Sequence, residues 1–209
     1  MRPEGWLVVV DLQQVFRDAD SPWTTPRFDE IRPNVRRLVE AFGDRVVFTR
    51  FVAPAQPQGA WVEYYEQYDF ALQPPDHPLY QLAEDPGGRP VLDATTFGKW
   101  GPELAALVGG GPITVTGVAT DCCVLSTVLP AADAGVPVRV VSDACAGADD
   151  EAHEDTLRIL GCYAPLVQVV SDACAGASDE AHEDTLRILG CYAPIVRVVS
   201  TADLLGGGA

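Results

Sequence analysis

Residues 113–135 constrain the fold of this chain more than any other stretch. Ile113 to Thr116 is a β-branched run that reads as a buried parallel strand. Gly117 breaks it, small residues carry the chain past two adjacent cysteines, and Val124 to Ala134 has the length and spacing of a helix that Gly135 stops. Cys122 and Cys123 therefore stand where a strand hands over to a helix, among unpaired backbone N–H groups and at the positive end of the helix dipole. Such a position is expected to lower a cysteine pKa and to hold an oxyanion. Two small buried cysteines that only fill core space give the same pattern.

The rest of the chain alternates in the same way. Trp6 to Val10 is a continuous apolar strand with Asp11 at its C-terminal tip, the end of a strand where open α/β sheets place their ligands. Residues 12–27 read as a loop, with Phe16 and Trp23 as possible pocket walls. Arg32 to Phe42 follows as a helix and Arg45 to Phe51 as the second strand. Residues 53–90 are rich in proline and carry an aromatic cluster, with a short helix possible at Trp61 to Tyr68; a loop this long is usually a lid, a binding loop or an oligomer contact. Strand Pro90 to Asp93, helix Pro102 to Val108, strand Val136 to Val141 and helix Asp149 to Tyr163 complete the pattern. It predicts an α/β fold, a doubly wound parallel sheet with helices on both faces.

The chain then repeats itself. Residues 140–168 and 169–197 are identical except at Asp149/Ser178, Leu166/Ile195 and Gln168/Arg197. This is a recent tandem copy of one βα unit inside a single domain spanning 1–209, not a solenoid repeat. Leu166 to Ser171 can end one unit and begin the next, and a right-handed continuation predicts a seventh strand at the sheet edge. Extrusion of one copy, or its exchange between subunits, is the competing outcome.

Composition removes several function classes. A net charge of −16 disfavours nucleic acid and anionic membrane as partners. No apolar run approaches the roughly 18 residues that span a bilayer, and the first strand follows the N-terminus too closely for a signal peptide. Of six cysteines, Cys174 and Cys191 merely copy Cys145 and Cys162, and none forms a CxxC pair, so reduced thiols and a cytoplasmic location are expected.

With Asp11 after VVV and GVATDCCV after the fourth strand, the chain resembles the isochorismatase-like cysteine hydrolases, a superfamily that includes nicotinamidases and N-carbamoylsarcosine amidohydrolases. The matching pieces are VVVDLQQVF (8–16), the segment after the third strand and GVATDCCVLSTVLPAADAG (117–135). The resemblance implies a six-stranded, Rossmann-like sheet, a homodimer or homotetramer, a small-molecule substrate and no cofactor. It implies Cys123 as nucleophile, Asp11 as its base, an oxyanion hole from the N–H groups of Ala119 and Cys123, and a cis peptide at Val118–Ala119. The superfamily's lysine stands directly after the third strand, ten residues before the leucine of the next helix, which is Ala94 here; the chain's only lysine is Lys99. Either Lys99 reaches in as a substitute or the lysine is absent, and the strand-tip position favours Ala94 as a vacated place. Phe16, Trp61, Tyr65, Trp100 and Thr120 are expected to line the pocket, and Asp121 to cap its helix or accept a substrate amine, with capping favoured. The nicotinamidase metal motif DxH…H has no counterpart in TRFVAPAQPQ (49–58), so no metal is expected. The implied activity is cleavage of a small carboxamide or carbamoyl compound through a Cys123 thioester. A silent ligand-binding homologue is the alternative if position 94 is decisive, and vinyl ether hydrolysis of the isochorismatase type is disfavoured by Cys123.

Overall fold

The computed structural model describes residues 3–170. Six parallel strands form one sheet in the order β3-β2-β1-β4-β5-β6: β1 Trp6–Val10, β2 Val46–Phe51, β3 Val91–Ala94, β4 Ile113–Val118, β5 Val138–Ala146 and β6 Val167–Val170. Chain order runs outward from β1 in one direction and resumes at β4 in the other. The switch point, where such sheets bind ligands, therefore lies between the tips of β1 and β4.

Alternation along the strands divides the core in two. Leu7 and Val9 face the helices α1 (Gln14–Arg17) and α2 (Phe28–Phe42), while Val8 and Val10 face α4 (Pro102–Val108), α5 (Leu125–Asp133) and α6 (Asp150–Gly161). Helix α2 begins at Phe28, four residues before the predicted start. Phe28 and Ile31 continue the buried stripe of Val35, Leu38 and Phe42, and burying that stripe outweighs the cost of Pro33 inside the helix. Strand β5 runs five residues past the predicted end at Val141, because the pairing shifts: Val115 faces Val140 but Gly117 faces Cys145, an irregularity that re-aims the end of β5.

The 53–90 segment is held by buried polar groups. It contains α3 (Ala60–Gln67) and 3-10 turns at Asp69–Ala71 and Pro78–Tyr80. The fully buried Gln13 amide donates to the Phe51 and Tyr80 carbonyls (3.1 and 3.0 Å) and accepts the Phe51 N–H (2.8 Å). The Tyr80 hydroxyl accepts the Ala53 N–H and donates to the Ala71 carbonyl. His77 is half-buried and caps the Pro78–Tyr80 turn through Nδ1.

Strand β6 straddles the copy boundary, as its sequence allows; the expected seventh strand falls on residues outside those described. Among the described residues no helix is long and apolar enough to cross a membrane.

Candidate active site

Asp11 leaves β1 in the left-handed region (φ 48°), a conformation that few residues other than glycine adopt, and its side chain is wholly buried. Thr49, on the neighbouring β2, donates its hydroxyl to Asp11 Oδ1 at 2.7 Å and accepts the Asp11 N–H at 3.2 Å. The other oxygen, Oδ2, lies 2.9 Å from Lys99 Nζ. The expectation of a vacated lysine place at Ala94 is thus corrected: Lys99 supplies the cation.

The loop after β3 explains the reach. Ala94 is still in the sheet, paired with Phe51, so a side chain there is bound to the strand's own direction. The chain then runs on to Gly98, where a Cβ would come within 2.5 Å of the Ser126 carbonyl, so only glycine lets this loop lie against α5. The Lys99 N–H donates to Thr127 Oγ1 (2.9 Å), and that hydroxyl donates to the Cys123 carbonyl (2.6 Å). From there the lysine points inward past the Phe51 ring, 5.0 Å from its centroid, and also donates to the Thr96 carbonyl at 2.8 Å.

The cysteine turn is a single π turn, Thr120–Val124, between β4 and α5. Its preceding peptide, Val118–Ala119, is cis. The N–H groups of Cys122 and Val124 both return to the Ala119 carbonyl at 3.1 Å. The Cys123 side chain is buried at the pocket floor. Its shared hydrogen bond with Cys122, its burial and the Asp11 carboxylate hold the Cys123 thiol well above the ordinary cysteine range, with Lys99 opposing them. The helix-start argument predicted a lowered cysteine pKa; the shift is downward for Cys122 and upward for Cys123, where the hydrogen bond with Cys122, desolvation and the neighbouring Asp11 outweigh a dipole end. Cys123 therefore rests as a thiol with a carboxylate beside it.

The pocket above Cys123 has a volume of about 270 Å³ and is mostly apolar. Phe16, Trp23, Phe51, Tyr64, Tyr68 and Phe97 form its walls. Of the predicted lining residues, Phe16 and Trp23 border it. Trp61 and Tyr65 stand behind the walls: Trp61 braces Phe97 (5.0 Å between rings) and Tyr65 is in the core. Tyr64 and Tyr68 take the pocket side, a spacing of four that puts both on one face. Trp100 packs on the opposite core, because the chain turns away after Lys99. Thr120 is fully buried and bonded to His153. Asp121 makes no cap on its own helix; its Oδ1 accepts the Ala148 N–H at 2.9 Å while it borders the pocket. Sequence reasoning missed Thr49 and Thr127. Only Thr127 left a signal, four residues after Cys123 on the helix that follows.

The segment after β2 offers neither histidine nor carboxylate between residues 52 and 62, and no group of three or more metal-binding side chains converges among the described residues. The residues at this place do not fit a divalent cation.

An isochorismatase domain model matches residues 5–167. Among solved structures, the chain resembles the zinc complex of a pyrazinamidase from Pyrococcus horikoshii (24% identity, TM-score 0.67, covering 81% of this chain and 99% of that one). It likewise resembles a cysteine hydrolase from Pseudomonas syringae pv. phaseolicola (20% identity, TM-score 0.65, covering 96% and 90%). A nicotinamidase from Bacillus subtilis follows with 20% identity, TM-score 0.62 and coverage of 78% and 97%. Among curated proteins no sequence matches.

Proposed function

This chain belongs to the isochorismatase domain family, and on that premise we propose that it is a cysteine amidohydrolase that cleaves a small carboxamide or carbamoyl compound through a thioester on Cys123. The observation that carries this reading is the buried Asp11–Lys99 pair, close enough for both charges to act on the Cys123 thiol. A resting thiol is a poor nucleophile, so attack requires a base at hand, and Asp11 is that base.

The amide enters among the aromatic walls with its carbonyl toward Ala119 and Cys123. As Cys123 Sγ bonds to the carbonyl carbon, the thiol proton passes to Asp11 and the carbonyl oxygen gains the negative charge. The N–H groups of Ala119 and Cys123 stabilise that oxyanion. Asp11 then gives its proton to the departing nitrogen, the C–N bond breaks, and ammonia or an amine leaves. Water attacks the thioester with Asp11 taking its proton, and the carboxylic acid departs as Cys123 regains a thiol. Lys99 stays against Asp11 throughout and holds its carboxyl group in place through the 2.9 Å contact.

The apolar walls suit a compact, flat or branched acyl group. Lys99 beside Asp11 weighs against the silent ligand-binding alternative, which rested on a missing lysine. Assembly as a dimer or tetramer belongs to the same reading and is checked by light scattering.

Ammonia release across a panel of small carboxamides tests the proposal, with intact-mass detection of an acyl adduct on Cys123. Cys123→Ala abolishes both signals if the reading is right. Ammonia release that survives Cys123→Ala overturns it.

A further inference from the structure

The turn that carries Cys123 is clamped from a side the proposed chemistry does not use. Thr120, the first residue of the turn, lies between Ala119 and Cys123, the two residues whose N–H groups form the proposed hole. Its fully buried hydroxyl meets His153 Nδ1 at 2.8 Å. His153 stands on the first turn of α6, which Asp149 caps by accepting the Ala152 N–H at 2.7 Å. The next residue of the turn, Asp121, accepts the Ala148 N–H from the connection between β5 and α6. That connection lies so close that a Cβ at Gly147 would come within 3.0 Å of both Asp121 Oδ1 and the His153 backbone nitrogen. Two consecutive residues of the nucleophile turn are thus fixed by one short segment, and only one of those bonds is made by a side chain of α6.

We infer that His153 is a positioning residue: through the Thr120 hydroxyl it sets the orientation of the 119–123 turn, and so the aim of the Ala119 and Cys123 N–H groups. The inference rests on the amidohydrolase reading. Burial, then Arg27, lowers the His153 pKa against the opposing charges of Asp150 and Asp121. The ring is therefore neutral at pH 7, and it shares a single hydrogen bond with the Thr120 hydroxyl through Nδ1. Being neutral, it adds no charge to the site, so its effect is one of geometry. A hole that is slightly misaimed binds the planar amide as before and loses its hold on the tetrahedral oxyanion, so the loss falls on kcat.

The test uses His153→Ala, Thr120→Val, the double variant and the conservative Thr120→Ser. Each of the first two lowers kcat by about 10- to 100-fold with KM little changed. The double variant is no worse than the poorer single, because both remove one bond, and Thr120→Ser keeps most of the activity. Unchanged kcat in the singles, losses that multiply in the double variant, or a rise in KM alone overturns the inference. A structural role alone lowers the melting temperature and leaves kcat intact below it.

Benzaldehyde supplies a second readout. The Cys123 thiol adds across its C=O: the S–C bond forms, the carbonyl π bond breaks and the proton ends on the new oxygen, which occupies the same hole. If no carboxamide is hydrolysed, the proposed activity fails, while benzaldehyde affinity still reports on the turn. An affinity about tenfold weaker in His153→Ala supports the positioning role; equal affinity, or no capture by the wild type, overturns it.

Discussion

Lys99 Nζ stands 2.9 Å from Asp11 Oδ2, with the two side chains 1% and 0% exposed. The pair joins the tip of β1 to a loop that left the sheet five residues earlier, and it is sealed under the pocket that holds Cys123. Two charges taken so far from water are stable only together, which makes each dependent on the other.

Replacing Lys99 with Met leaves the Asp11 carboxylate buried and unpaired. Breaking such a pair costs about 3–5 kcal/mol, read as a shift in the urea midpoint, and ammonia release falls by at least about 100-fold because Asp11 loses the contact that holds it in place as base. Ala94→Lys brings no gain, since position 94 is committed to pairing with Phe51. A large gain from that substitution would show that Lys99 is not the working cation.

Gly98→Ala separates positioning from stability. The added methyl meets the Ser126 carbonyl at 2.5 Å, and backbone cannot swing aside as a side chain can. The loop shifts, the Lys99 N–H draws away from Thr127, and Lys99 retreats from Asp11. Turnover falls by about 100-fold for a displacement near 1 Å, measured alongside far-UV circular dichroism that stays unchanged.

The raised Cys123 pKa has a signed consequence for alkylation. A thiol whose pKa lies above the ordinary range has less thiolate than a free cysteine at every pH below that pKa. Between pH 7 and 9, iodoacetamide therefore modifies the exposed Cys162 ahead of Cys123, with the positions read by peptide mass spectrometry. Cys123 gains rate only as pH rises toward its own higher value. Preferential labelling of Cys123 below pH 8 would contradict the thiol resting state.

Deleting residues 169–197 joins Gln168 to Val198 and restores Val-Gln-Val-Val, the sequence of β6. The six-stranded sheet keeps every strand it has now, and the stability of the shortened chain stays within about 1 kcal/mol, or roughly 2–4 °C in Tm. A deletion product that is insoluble or melts far lower would show that the second copy contributes to the fold.

Much of the fold was legible because burial writes itself into hydrophobic pattern. Strand β1 is an uninterrupted apolar run and β4 a β-branched one, as strands covered on both faces are. Helix α2 starts four residues before the predicted Arg32, because Phe28 and Ile31 extend its buried stripe across the loop that was expected there. The pocket was half legible. α3 was placed in sequence, but which side of it faces the ligand depends on how the helix rolls against Phe51 and Phe97. Tyr64 and Tyr68 thus exchanged roles with Trp61 and Tyr65.

The sequence by itself determined the alternating strands and helices, and it placed Asp11 and Cys123 at two strand ends, because both follow from neighbours in the chain. Tertiary structure alone decided that Lys99 rather than position 94 meets Asp11, that Cys123 is held as a thiol, and that His153 grips Thr120. Each of these depends on distances between segments far apart in sequence, and on the loss of water around them, which no local pattern encodes.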